Sequence, residues 1–272
     1  MGRSSFVGGG AAATPLNTSL IAAYDFESGA LEDDSFGTTD WTNRSAPNAV
    51  SIDAARYKVN LASALFESAN KDAMKILDGA LPAGFPFKSG GSNKWSVCSW
   101  FYIVSLDLSP DGQNIILAKQ NATDTDGPMI GLYRSGYLRY YHSNYLGTDL
   151  LPVVTGRWYH FGLTYDGSTG GPNYPLYCKL WDDTALSAVE YDNPTFPSLI
   201  GNGGNAKPLS IGMRSYFDAD WEEDYSFDGN IDAMRIYTDI LTEAEIDADR
   251  LATGILGGGG TPRAILNNRL SS

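Results

Sequence analysis

Short bursts of alternating apolar and polar residues recur along most of this chain. "SLIAAYDF" places Leu20, Ala22, Tyr24 and Phe26 on one face of an extended segment. "KWSVCSWFYIV", "QNIILAKQ", "PMIGLY", "GYLRYYH", "RWYHFGLTYDG", "YPLYCKLW", "PLSIG" and "NIDAMRIY" follow. Each is β-branched or aromatic and is bounded by Gly, Asn, Asp or Pro, the pattern of an all-β antiparallel sandwich. Side chains alternate between the two faces of a strand. If Val97, Phe101, Phe161, Leu163, Leu176 and Leu180 turn to the core, then Trp100, Tyr102, Trp158, His160, Tyr177 and Trp181 fall on outer sheet faces. The same counting puts Asp232 on the face of Met234 and Ile236, where an unpaired carboxylate is costly.

Two stretches depart from this period. "ANKDAMKILDGAL" (69–81) predicts one or two helical turns. "LTEAEIDADRLATG" predicts a helix with a sharp start: Thr242 and Glu245 have capping-box spacing, and Leu241 and Ile246 are placed as a hydrophobic staple. Gly254 is the expected C′ residue. Residues 1–18 read as a Gly-rich N-terminal arm and 255–272 as a Gly-rich linker and tail, leaving one β-sandwich over 19–254. No internal repeat at a fixed period is seen.

Composition narrows the classes. With 43% hydrophobic residues, 272 residues can bury a full core. A balance of 19 Lys and Arg against 32 Asp and Glu, net charge −13, argues against nucleic acid, whose phosphates need clustered cations. No apolar run approaches the ~20 residues that cross a bilayer, so no membrane insertion is expected. The start, "MGRSSFVGGGAAATPLN", lacks the apolar stretch of a secretory signal. The expected location is a virion surface, reached by lysis, or the extracellular space. Cys98 alternates with Trp100 and Cys178 with Leu176 and Leu180, so the two sulfurs are expected on different sides of a sheet, as free thiols.

"SLIAAYDFESG", "WSVCSWFYI", "NIILAKQ", "GRWYHFGLTYDGS", "PLSIG" and "FDGNIDAMRIYTDILTEAEI", in this order, resemble the laminin-G-like, concanavalin A-type jelly rolls. The resemblance spans about 20 to 253 and implies two face-to-face antiparallel sheets, with first and last strands adjacent. It also implies a structural calcium beside those strands, for which Asp232 takes the usual acidic position. Ala233 departs from the pattern by replacing the common second acid. Glu27 and Asp34 are the expected partners, with carbonyls and water completing the six to eight oxygens calcium takes. The competing reading makes Asp232 an acceptor of backbone N–H bonds from a neighbouring turn.

Other chemistry is sparse. His142 and His160 have no Cys or second His close in sequence, which argues against zinc. In "DADWE", Asp218, Asp220 and Glu222 alternate as in the acidic triplet of glucanases of this superfamily. The further acids Glu223, Asp224 and Asp228 make a solvated loop the preferred reading, ahead of a loop cation site and of catalysis. The outer aromatics suit sugar rings, whose CH faces stack and whose hydroxyls need polar neighbours; the alternative is that loops or arms cover them. The arms, with isolated Phe6, Val7, Ile265 and Leu266, suit docking onto copies of the chain or other virion proteins. The expected function is a non-enzymatic, lectin-like structural protein of a phage virion (capsid decoration, fibre or tail) that binds glycans. A secreted carbohydrate-binding or adhesion module is second, and a glucanase-type glycoside hydrolase third.

Overall fold

The computed structural model describes residues 18–26, 40–88, 91–107, 112–119, 127–141, 147–169, 173–196, 206–215, 221–222 and 225–252. In chain order the strands are β1 (Leu20–Tyr24), β2 (Thr42–Asn43), β3 (Ser51–Asp53), β4 (Ser63–Phe66), β5 (Met74–Ile76), β6 (Lys94–Ile103), β7 (Gln113–Ala118), β8 (Met129–Tyr133) and β9 (Tyr137–Tyr141). They continue with β10 (Gly147–Pro152), β11 (Trp158–Asp166), β12 (Tyr174–Asp182), β13 (Ser187–Phe196), β14 (Leu209–Ile211), β15 (Arg214–Ser215), β16 (Trp221–Glu222) and β17 (Gly229–Tyr237), followed by one helix, α1 (Glu243–Leu251).

Two antiparallel sheets carry the fold. The eight-stranded sheet runs β13-β12-β11-β6-β17-β4-β3, with β1 also paired to β17, and the seven-stranded sheet runs β10-β9-β8-β7-β14-β5-β2. The first strand therefore lies against the last, as the resemblance implies. Between the sheets, Val97, Phe101, Phe161, Leu163, Leu176 and Leu180 meet Ile116, Leu117, Ile130, Leu132, Leu209 and Ile211 in one apolar cluster. Stacking two one-faced apolar sheets is what removes this surface from water.

The helix starts as its sequence dictates. The Glu245 N–H donates to Thr242 Oγ1 at 3.3 Å and the Thr242 N–H to Glu245 Oε2 at 2.8 Å, closing the capping box. Leu241 and Ile246 share one apolar cluster, completing the staple. The helix ends at Leu251, with Ala252 in extended conformation, earlier than a stop at Gly254 implies; Gly254 itself lies outside the described residues.

Three expectations need correction. The 69–81 stretch is two 3-10 turns, Ser68–Asn70 and Asp78–Ala80, around strand β5. Met74 and Ile76 alternate into the core and β5 pairs with β14, so sheet pairing overrides the helical spacing. Leu20 does not share the face of Ala22, Tyr24 and Phe26, because a bulge shifts the register between Leu20 and Ala22 and Leu20 packs with the helix instead. The third concerns Asp232. The β17–β6 register shifts between Asp232 and Arg235, and Ala233 adopts φ 48°. That extra residue flips the alternation: Ile231, Met234 and Ile236 face the core, while Asp232 lies opposite Trp100 on the outer face.

Candidate functional site

Antiparallel registers organise the outer face of the eight-stranded sheet into rows. Tyr177, Thr164, Ser96 and Tyr237 form one row across β12, β11, β6 and β17, and Lys179, Gly162, Cys98 and Arg235 the next. Trp181, His160, Trp100 and Asp232 form the third, and Trp158, Tyr102 and Asn230 continue the fourth. All six aromatic candidates thus share one surface. What covers each row differs.

The helix covers the first two rows and reaches the third. Gly162 makes this approach possible: a Cβ there would stand 2.5 Å from Ile246 Cγ2. Beside that contact Asp249 is fully buried and accepts from His160 Nε2 at 3.0 Å, Arg235 at 3.2 Å and the Tyr237 hydroxyl at 2.5 Å. Burial alone would raise the Asp249 pKa, but Arg235, His160 and Tyr237 outweigh it and hold the carboxyl below its ordinary value. Burial lowers the His160 pKa despite Asp249, so the ring is neutral. Burial also pushes the Cys98 thiol well up.

Cys98, His160 and Asp249 bring their ligating atoms within 4.8 Å of one another, a grouping invisible in the sequence because Cys98 and Asp249 come from distant segments. It is a poor cation site. The Arg235 guanidinium already neutralises Asp249, and the thiol is held in its protonated form. The cluster instead fastens α1 to the sheet, aided by Lys179 to Asp247 at 2.9 Å and by Arg250 stacked 4.0 Å from the Trp181 ring centroid.

A loop between β3 and β4 covers the other rows. Val59 packs on Trp100 and Ala233. The backbone N–H groups of Lys58 and Val59 donate to Asp232 Oδ2 at 2.7 and 2.8 Å. This is the backbone-acceptor arrangement, supplied by the β3–β4 loop. Among the described residues Asp232 belongs to no group of three ligating side chains. The calcium expectation rests on Glu27 and Asp34, which lie outside the described residues. Lys58 pairs with Asp183, its ammonium 5.3 Å from the Trp100 ring centroid. Arg56 stacks 4.4 Å from the centroid of Tyr102 and donates to Asn230 at 3.0 Å. Arg157 pairs with Asp182 at 2.8 Å.

The six candidates therefore differ in access. His160 and Trp100 are buried, while Tyr102, Trp158, Tyr177 and Trp181 are partly exposed. The Tyr102 and Trp158 rings lie 5.6 Å apart, tilted, forming an aromatic shelf with charged side chains around it. The thiols are free and buried on opposite sides of the sheet, Cys98 under the helix and Cys178 in the core. His142, Asp218, Asp220, Glu223 and Asp224 lie outside the described residues. The backbone of Glu222 pairs with Arg214 in the small β15–β16 ladder. Asp228 holds neighbours together, accepting from Ser105 Oγ at 2.5 Å and the Ser68 N–H at 3.5 Å.

Two stacked antiparallel sheets, a first strand beside the last and a helix across one outer face define a concanavalin A-like jelly roll. The chain belongs to the laminin G-like family of the concanavalin A-like lectin/glucanases superfamily, whose model matches residues 80–247. No curated protein matches it in sequence. Among solved structures it resembles domain 4 of AbnA, a GH43 extracellular arabinanase from Geobacillus stearothermophilus, in complex with arabinotriose. That match has 21% identity, a TM-score of 0.54, and covers 85% of this chain and 98% of that one. It also resembles Trypanosoma rangeli sialidase (12% identity, TM-score 0.56, 92% of this chain and 35% of that one). A third likeness is to the enzymatically active domain of bacteriophage CBA120 tailspike protein 2 (10% identity, TM-score 0.51, 78% and 30%). At these identities the likeness establishes the fold.

Proposed function

We propose that this chain is a non-catalytic glycan-binding module of a surface structural protein, with a phage virion as its assembly. The observation that carries the reading is the Tyr102–Trp158 shelf, with rings 5.6 Å apart, Arg56 stacked on Tyr102 and the Arg157–Asp182 pair alongside. Partly exposed rings, Trp158 above all, supply stacking area for sugar CH faces, and flanking charged groups can hydrogen-bond hydroxyls. The arabinotriose complex of a domain with this fold, and its occurrence within a phage tailspike, support the two halves of the proposal. The terminal arms 1–18 and 255–272 would make the contacts to neighbouring virion subunits.

The test is a glycan array probed with the full chain and with Trp158→Ala. We expect selective binding that falls at least tenfold in the variant, since stacked aromatic anchors dominate such interfaces. A blank array, or binding indifferent to Trp158, removes the glycan reading. Co-purification with viral particles tests the assembly half, and release of reducing sugar by the wild type would replace it with the hydrolase reading.

A further inference from the structure

Three cations border the Tyr102–Trp158 shelf, and one of them differs from the others. Lys58 pairs with Asp183 and Arg157 with Asp182. Arg56 forms no ion pair among the described residues; its guanidinium touches the Tyr102 ring and the Asn230 amide. An unmatched cation is unexpected in a chain of net charge −13, so what holds Arg56 in place bears on its role.

The backbone of Arg56 is tied down on both sides. Its N–H donates to Asp53 Oδ1 at 3.0 Å, and its carbonyl accepts from Ser63 Oγ at 2.5 Å. The head is oriented by neutral groups alone. Cζ lies 4.4 Å from the Tyr102 ring centroid, and Nη1 donates to Asn230 Oδ1 at 3.0 Å. Asn230 is buried and itself held, its amide donating to Asp53 Oδ2 and to Ser63 Oγ, each at 3.1 Å. Asp53, the nearest acid in sequence, is thereby committed elsewhere: Oδ1 takes the Ala55 and Arg56 N–H groups and Oδ2 the Asn230 amide. The guanidinium is fixed in place without being neutralised.

With Nη1 given to Asn230, the edge formed by Nε and Nη2 has no protein acceptor among the described residues. The side chain is half-buried rather than enclosed, and neither atom is sealed from water. Two parallel N–H donors in one plane match a carboxylate, which they bind bidentately. Trp158 stands on the neighbouring strand, directly opposite Tyr102. Neighbouring strands are about 4.8 Å apart, so a sugar ring on Trp158 brings its substituents to Arg56. The charge of the whole chain narrows the ligand further. An acidic protein repels a dense polyanion, whereas attraction to a single carboxylate acts at contact, well inside a Debye length of about 8 Å.

We infer that Arg56 makes the shelf selective for acidic saccharides: a sugar ring stacks on Trp158 while its carboxylate takes the free edge of the Arg56 guanidinium. The ligand carries isolated carboxylates, as a uronic or sialic acid does in an otherwise neutral chain. This inference rests on the glycan reading above and adds to it the charge of the ligand.

The test probes the full chain on an array of neutral, uronate-bearing, sialylated and sulfated glycans. Carboxylated glycans are expected to bind about tenfold more tightly than their neutral counterparts, and the array itself tells uronate from sialate. Esterifying the strongest carboxylated glycan with methanol keeps its shape and removes its charge, and should cost about tenfold. Arg56→Lys keeps the charge but not the fork; it should weaken binding of that glycan about fivefold while leaving the melting midpoint in place. In ¹⁵N NMR of the wild type, which needs no variant to fold, the Arg56 Nε–H signal should move with the acid and not with its ester. The inference fails if neutral or sulfated glycans bind as tightly as carboxylated ones, if the ester binds like the acid, or if the Arg56 signal stays unmoved. In each of those cases binding that still depends on Trp158 leaves the glycan reading intact. A blank array removes both.

Discussion

The outer face of the eight-stranded sheet carries aromatic and polar side chains along its whole length, yet its two ends are covered in opposite ways. At one end α1 seals it: Ile246 fills the space over Gly162, and Asp249 collects His160, Arg235 and Tyr237 into a buried network. At the other end a loop lies over Trp100 through Val59 and is tied down at Asp232, with charged side chains facing water above it. In the sealed end the donors around Asp249 converge on one carboxylate. At the loop-covered end Asp232 takes two backbone N–H donors, and the Lys58–Asp183 pair above it stays part-exposed. A charge network shut away from solvent is costly to break, whereas ion pairs open to water hold weakly.

The largest effect is expected at the sealed end. Asp249→Ala leaves the Arg235 guanidinium, 0% exposed, without its main counter-charge. Removing one partner of a buried pair costs about 3–5 kcal/mol, so urea melts should show a loss of that size or no folded protein. Acid acts on the same network with a defined sign. The His160 and Asp249 pKa values are both lowered in the folded state, so the unfolded chain binds protons more readily and stability falls with pH. The histidine contribution is lost first, from about pH 6.5 downward, and the aspartate contribution below about pH 4. Asp72 works the other way, its carboxyl pushed up to about 6 mainly by burial. The readout must therefore be local: amide exchange in α1 should rise on acidification before exchange in β7 and β8 does. Simultaneous opening would mean that the helix is not held by this network.

A smaller effect should follow from geometry alone. The methyl of Gly162→Ala would meet three atoms of Ile246 within 2.9 Å. Overpacking of this kind costs about 1–3 kcal/mol. Because the strain is specific to one contact, the penalty should shrink in an Ile246→Ala background, which a double-mutant cycle measures. Additive penalties would show that the helix does not rest on this glycine.

How legible these two ends were in the sequence differs too. The alternation in "WYHFGLTYDG", "KWSVCSWFYIV" and "YPLYCKLW" placed all six rings and both thiols on the correct faces, because long central strands keep period two. The helix start was legible for the same reason: capping box and staple are local chemistry. Asp232 was misplaced because a bulge at Ala233 reverses the alternation, and a positive φ at alanine leaves no mark in composition. The Asp249 network was invisible because its members come from β11, β17 and α1, brought together by tertiary packing. The short strands β2 to β5 were missed since two to four residues show no period, and the edge strand β13, mostly exposed, lacks the apolar face on which such patterns depend.

At the loop-covered end the anchor is Asp232. Asp232→Ala leaves the Lys58 and Val59 N–H groups without that acceptor, a loss of about 1–3 kcal/mol. Asp232→Asn keeps an acceptor oxygen and should lose less. With Oδ2 committed to two N–H donors, melting midpoints in calcium and in chelator should coincide. A rise with calcium that Asp232→Asn abolishes would instead bring Glu27 and Asp34 into a metal site, since a ligand that binds only the folded state stabilises it by mass action.

The smallest effect should belong to the Lys58–Asp183 pair, and its smallness is what separates the two ends. Both side chains are partly exposed, so water and salt screen the pair and ordering two flexible chains offsets much of its attraction. A double-mutant cycle of Lys58→Ala and Asp183→Ala should give a coupling of at most about 1 kcal/mol, shrinking further in high salt. The same cycle run on Arg235 and Asp249 should give several times that value and respond little to salt, because the helix excludes solvent from that pair. Equal couplings would mean that the loop seals its half of the sheet as firmly as the helix does.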